Sequence, residues 1–302
     1  MVPGPLPALP TSCHRRPLGS SGTPARGCPA RCSGRRAACG KADSRTDCGR
    51  MSKSQEKACM DTAQEIARQY AGERGKSYHD VVHRIPDRAV PWLVHLRRGK
   101  FLPHVRASDV VLEYGVGMGW NLAGLSCTRR IGYDVSSHLE SVLESLGIEF
   151  VSDPALIPDG TVDVVICHHV LEHIAQPLSA LQRMHRMMRE QEGRLILVVP
   201  YETGRKYHRY DPLEPNHHLY SWNVQTLGNL VETTGFRVIE ASRKRYGYDR
   251  FAAVWADRLH LGEPGFRILR RLLQAIRPLY EVVVVCAKGR VTGDKGRVTC
   301  DV

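Results

Sequence analysis

The residues best able to do chemistry lie in four stretches. The first is Val110-Val111-Leu112-Glu113-Tyr114-Gly115-Val116-Gly117-Met118-Gly119-Trp120-Asn121, an apolar run that meets an acid and then three alternating glycines. A β-branched run broken by glycine reads as a buried parallel strand entering a tight turn, with a helix expected over 120–128. Glycine permits positive φ and close approach of the backbone to a ligand, and the N–H groups of a following helix favour a negatively charged end. The second stretch, Ile131-Gly132-Tyr133-Asp134, ends in an acid placed where it could hold a ribose diol; a solvated turn carboxylate is the plainer alternative. The third, Asp163-Val-Val-Ile-Cys-His-His-Val-Leu-Glu-His-Ile174, sets His168, His169, Glu172 and His173 directly after a predicted strand. The fourth is the long connection Tyr201 to Trp222, carrying Tyr207, His208, Tyr210, His217, His218 and Tyr220. Connections of this length are often binding loops, and a near-neutral histidine can take a proton from an acceptor. His217 and His218 are the candidates for that catalytic role, with structural hydrogen bonding as the alternative.

Positioning these residues requires strands and helices in alternation. Strands are expected at 110–114, 130–134, 148–152, 163–167 and 194–199, with helices at 137–146 and 175–190. A helix over 223–234 stopped by Gly235, a sixth strand over 236–241, a helical insert over 251–279 broken at Gly262–Gly265, and a last strand over 281–287 complete the pattern. Such alternation implies a parallel sheet with helices on both faces, and ligands then bind beyond the carboxyl ends of the strands. His169-Val-Leu-Glu-His173 also spells the inverted zinc-protease string. That chemistry needs a long helix carrying both histidines, whereas here the string starts at a strand end, so no metal site is assigned.

Glu113-x-Gly115-x-Gly117-x-Gly119, Asp134, the Asp163–Ile174 stretch and Gly193-Arg-Leu-Ile-Leu-Val-Val-Pro200 resemble, in this order, the motif set of class I S-adenosylmethionine-dependent methyltransferases. The likeness is greatest to the small-molecule branch with a His-x-Leu-Glu-His segment after strand four, and it covers roughly residues 105–245. It implies an α/β fold with a Rossmann-like seven-stranded sheet, mostly parallel with an antiparallel last strand, and S-adenosyl-L-methionine as cofactor. By that resemblance Gly115, Gly117 and Gly119 hold the methionine tail, Glu113 orients the loop and Asp134 binds the ribose hydroxyls. Asp153, in Val-Ser-Asp-Pro, meets the adenine amino group, unless it is a cap carboxylate. His168 faces the sulfonium and substrate. The implied reaction is methyl displacement onto a small-molecule or glycan-type acceptor, at oxygen, which demands alignment more than covalent catalysis. A catalytically silent binding module and an NAD(P)-dependent oxidoreductase are the alternatives.

Composition narrows the partners. The formal charge of the 302-residue chain is +12, but residues 1–50 hold nine Lys/Arg against two Asp/Glu, so the excess concentrates in a Pro-, Gly- and Ser-rich arm. This weakens a nucleic-acid reading. Strand four is not followed by Asn/Asp-Pro-Pro-Tyr, and Cys167 has no preceding proline, which disfavours base methylation. Five of ten cysteines lie in the arm at gaps that match no common zinc spacing; Cys127, Cys167 and Cys286 read as core thiols of a reducing compartment, the cytoplasm. Apolar runs are too short to span a bilayer. The expected organisation is a disordered extension over 1–50, a helical lead-in over 51–104, the methyltransferase domain over 105–290 and a flexible tail over 291–302. Met51 is the expected functional start. In the lead-in, helices are expected from Ser54 to Gly75 and from Val90 to Arg97.

Overall fold

A computed structural model describes Tyr70, Gly72 and residues 85–204, 208–212, 214 and 216–289. The extension over 1–50, the Ser54–Gly75 helix other than Tyr70 and Gly72, Tyr207 and the tail over 291–302 lie outside the described residues. The strands are β1 Val110–Tyr114, β2 Arg129–Tyr133, β3 Glu149–Val151, β4 Val164–His168, β5 Arg194–Tyr201, β6 Phe236–Tyr246 and β7 Leu279–Lys288. The helices are α1 Val90–Phe101, α2 Glu140–Ser145, α3 Pro177–Met187, α4 Val224–Thr233, α5 Asp249–Arg258 and α6 Gly262–Ile276.

One sheet runs in the order β3-β2-β1-β4-β5-β7-β6. Strands β1 to β5 are parallel, and β7 is antiparallel to both β5 and β6, as the resemblance implies. Side chains of a strand alternate between faces, and in β4 both faces are apolar. Val164 and Ile166 belong to the cluster that holds Phe101, Leu139 and Leu143, whereas Val165 and Cys167 belong to the one that holds Leu181, Met184 and Leu227. Burying each such side chain contributes about 1.5–3 kcal/mol, which ties helices to both sides of the sheet. A third cluster joins Leu93 of α1, Trp120, Ala252 and Ala256 of α5 and Phe266 of α6.

Local signals set the ends of the elements. Asn223 caps α4 by accepting from the Thr226 N–H at 2.9 Å, while the Thr226 hydroxyl accepts from the Asn223 N–H at 3.1 Å. Gly235 follows at φ +92°. Three expectations are corrected. Over 120–128 there are turns instead of a helix, closed by Leu122 and Ala123 N–H donating to the Gly119 carbonyl. Gly124 is pressed against Val94 of α1, and the Asn121 side chain is engaged elsewhere, so the segment turns directly into β2. The sixth strand runs on to Tyr246 because β7 pairs with it along its length. Finally, Gly262-Glu-Pro-Gly265 opens α6 instead of interrupting a helix. Helix α5 ends at Arg258, the Leu261 N–H closes on the Ala256 carbonyl, and Pro264 sits in the first turn of α6, where a missing N–H costs nothing.

Candidate active site

A cleft of about 800 Å³ opens beyond the carboxyl ends of β1, β2 and β4, where parallel sheets of this kind bind ligands. The β1 turn forms one wall. Gly115, Gly117 and Gly119 adopt φ of +81°, +50° and +73°. The Gly115 and Val116 N–H groups donate to the Tyr133 carbonyl at 2.8 and 2.9 Å, which locks the loop to β2. A Cβ on residue 115 would stand 2.3 Å from Val170 Cγ2, and one on residue 119 would stand 2.7 Å from Leu143 Cδ2. Glycine is therefore demanded here by the turn and by the protein's own packing. Gly115 and Gly117 line the cleft, whereas Gly119 packs behind it.

Two acids lie beside this loop. Asp134, just past β2, accepts from the Gly117 N–H at 2.9 Å through Oδ2 and from the Ser136 N–H at 3.0 Å through Oδ1. Each oxygen keeps a further lone pair, and the residue lines the cleft. Glu113 is only 1 % exposed. Its Oε1 accepts from the Asn121 side-chain amide, while Oε2 is buried without a hydrogen-bond partner. Burial pushes the Glu113 carboxyl up to about 8, against the lowering influence of Asn121 and Arg97.

The opposite end of the cleft holds the histidines. His168 Nε2 accepts from Lys100 Nζ at 3.1 Å, and burial, then the Lys100 charge, holds this imidazole well below its usual pKa. Lys100 also donates to Glu281 Oε1 at 2.6 Å, and Glu281 Oε2 lies 3.2 Å from His169 Nε2. Burial would raise the Glu281 carboxyl, but Lys100 and His169 hold it down at about 2. His169 takes φ +55° where β4 gives way to the single 3-10 turn Leu171–His173. Glu172, on that turn, is 1 % exposed, and neither carboxylate oxygen has a hydrogen-bond partner. Its carboxyl is raised by burial.

The long connection after β5 reaches this turn through its backbone. Leu219 and Tyr220 N–H groups donate to the Glu172 carbonyl at 2.8 and 3.3 Å, which brings His218 beside Glu172 and His173. The His173 and His218 rings stand 4.8 Å apart. Glu202 Oε1 lies 2.6 Å from His218 Nδ1, and although burial opposes charge on that ring, the carboxylate raises its pKa overall. His173 is lowered to about 3, by burial first and then by the neighbouring His218 and His169.

Of the residues expected from sequence, Glu113, Gly115, Gly117, Asp134, His168 and His218 line one cleft. His217 is exposed and does not line the cleft, at φ +48°, with its N–H donating to Glu214 Oε2. Asp153 is likewise exposed, and its carboxylate accepts from the Ala155 N–H at 2.8 Å as the cap of a short turn, leaving Pro154 to line the cleft. Cys167 points into the core. The sequence reading missed Tyr70, Lys100, Glu202 and Glu281. Only Glu281 carries a local signal, an acid opening the apolar run Val282–Ala287.

A family model described as "Methyltransferase domain" matches residues 70–241, more than half of the chain. A "probable S-adenosylmethionine-dependent methyltransferase" of Mycolicibacterium smegmatis is 30% identical over 144 residues, 45% of this chain and 55% of that protein. The chain thus spans about half the length of this curated relative. Among solved structures, the 1,6-didemethyltoxoflavin-N1-methyltransferase of Burkholderia thailandensis is 17% identical with a TM-score of 0.48, covering 80% of this chain and 92% of that one. An Archaeoglobus fulgidus SAM-dependent methyltransferase is 17% identical with a TM-score of 0.46, covering 65% and 93%. With the acid, the glycine turn and the second acid assembled at the carboxyl edge of the sheet, and the family match spanning them all, this chain belongs to the methyltransferase-domain family.

Proposed function

We propose that the protein is an S-adenosylmethionine-dependent methyltransferase acting at oxygen on a small-molecule or glycan-type acceptor. The observation that carries the reading is Glu113 Oε2, a buried carboxylate oxygen with no partner beside a glycine turn, which suits a cationic group and not a phosphate. The residues present fit the cofactor: Gly115 and Gly117 offer bare backbone to the amino-acid end, Glu113 faces its ammonium, and Asp134 offers its remaining lone pairs to the ribose hydroxyls. When bound, S-adenosylmethionine supplies a methyl group on a sulfonium that an aligned nucleophile displaces.

The chain's own part lies at the other end of the cleft. Glu172, His173 and His218 create a site where an acceptor hydroxyl can lose its proton, and Glu202 keeps the His218 ring oriented. His168, neutral and held by Lys100, contributes shape without charge next to the reacting groups. Calorimetry with S-adenosylhomocysteine and with NAD, then methyl release in a metabolite screen, tests the reading. Binding of NAD without S-adenosylhomocysteine would overturn it.

A further inference from the structure

We propose that Glu172, His173 and His218 form a binding site for a divalent transition-metal cation of the Zn2+ or Co2+ type at the acceptor end of the cleft. Hydrogen bonding settles which ring nitrogens carry protons. The Tyr70 hydroxyl donates to the Asn216 carbonyl at 2.8 Å, so its oxygen accepts from His173 Nδ1–H at 2.8 Å, and His173 Nε2 is left as a lone pair. His218 Nδ1 is engaged by Glu202 at 2.6 Å, so Nε2 is the nitrogen that would turn to a cation. Glu172 Oε1 lies 3.9 Å from His173 Nε2, and both of its oxygens are buried without a donor. One ligand-type atom from each of the three residues lies within 4.8 Å of the others, and Glu172 brings two oxygens that are buried without a hydrogen-bond partner. A buried carboxyl group without a hydrogen-bond partner is costly until a proton or a cation neutralises it, and a metal would displace the protons held there.

The surroundings are those of metal ligands. Tyr70 and Glu202 each take the outward nitrogen of one imidazole, which fixes the tautomer and strengthens the inward nitrogen as a donor. Two bonds of about 2.0–2.1 Å at a tetrahedral angle span about 3.3 Å, so the Glu172–His173 pair, at 3.9 Å, needs to contract by about 0.5 Å and atoms up to 4.8 Å apart by up to about 1.5 Å. Two nitrogens and a carboxylate suit Zn2+ or Co2+ better than Mg2+ or Ca2+. His169 Nδ1 stands 3.9 Å from the same Glu172 oxygen and can close a further side. The arrangement is not the helix-borne one of zinc proteases, because His173 lies on a one-turn 3-10 segment and His218 arrives from a separate loop.

For the reaction proposed above, and resting on that reading, a bound cation would acidify a coordinated acceptor hydroxyl. The O–H proton passes to bulk water and the oxygen keeps the electron pair, which narrows the acceptor to a hydroxyl compound. The site itself is tested without the cofactor. The full-length chain, stripped with chelator, is titrated with Co2+ and followed by visible absorption. One equivalent with d–d bands and no thiolate charge-transfer band is expected, displaced by Zn2+ and not by Mg2+. The bands should vanish in Glu172→Gln, and the affinity should fall about 10–100-fold in Glu202→Gln. Circular dichroism checks folding, and His218→Ala replaces Glu172→Gln if that variant does not fold. No cobalt bands, or bands of thiolate character that survive these substitutions, would overturn the proposal. Separate calorimetry with S-adenosylhomocysteine tells its failure apart from failure of the methyltransferase reading.

Discussion

Replacing Glu113 by glutamine should uncouple cofactor binding from pH. Burial raises this carboxyl from 4.5 to about 8, so charging it in the empty cleft costs about 5 kcal/mol more than in water. At pH 7 the free protein therefore holds Glu113 mainly protonated, while an arriving ammonium requires the carboxylate. Binding then releases about 0.9 proton at pH 7, and affinity rises up to about tenfold per pH unit until pH 8, where it levels. Calorimetry with S-adenosylhomocysteine in buffers of different ionisation enthalpy reads that proton directly. Glu113→Gln should abolish the release and flatten the profile, with a loss of about 2–3 kcal/mol in affinity at pH 8. The same shift acts on folding. Between about pH 4.5 and 8 the unfolded chain has lost the proton that the native state keeps, so the free wild type loses stability relative to Glu113→Gln as pH rises. Equal proton release by the two proteins, or wild-type affinity that is flat from pH 6 to 8, would refute the ammonium assignment.

Three further substitutions probe the rest of the cleft. Asp134→Ala should weaken S-adenosylhomocysteine by about 1–3 kcal/mol, since it removes charge-assisted bonds and also frees the Gly117 N–H; unchanged affinity in calorimetry would take Asp134 out of the site. Gly115→Ala puts a methyl 2.3 Å from Val170 at φ +81°, so a fall of about 2–4 kcal/mol in unfolding free energy is expected in urea titrations, together with loss of cofactor binding. His218→Ala should lower kcat about 100-fold or more with cofactor affinity unchanged, whereas His217→Ala should leave steady-state kinetics as they are.

The half of the site on β1 and β2 was legible because its chemistry is local. The acid, the glycine turn and the second acid each sit at the end of an apolar run, and one right-handed crossover brings them together. At the end of β4, His168 lines the cleft as the resemblance implied. What periodicity could not supply was the register of distant elements. His217 and His218 are neighbours in sequence, and only the backbone bonds from Leu219 and Tyr220 to the Glu172 carbonyl decide which of them turns inward. Asp153 follows a strand as the resemblance requires, yet a proline next to it makes capping the nearer use of its carboxylate.

Glu281 shows why the antiparallel strand matters to function and not merely to topology. In a parallel strand the first residues lie at the edge remote from the ligand crevice. Because β7 runs the other way, its third residue, Glu281, pairs with Pro200 near the carboxyl end of β5 and lands in the cleft. There Glu281 takes the Lys100 ammonium on one oxygen and His169 on the other. Held by the acid, His169 keeps Nδ1 toward Glu172, and Lys100 remains where it can donate to His168. Loss of that carboxylate would leave Lys100 a half-buried cation without its acid beside the histidines. The reversal of one strand thus sets the charge balance of the acceptor end, a dependence that becomes readable only once the pairing of β5 with β7 is known.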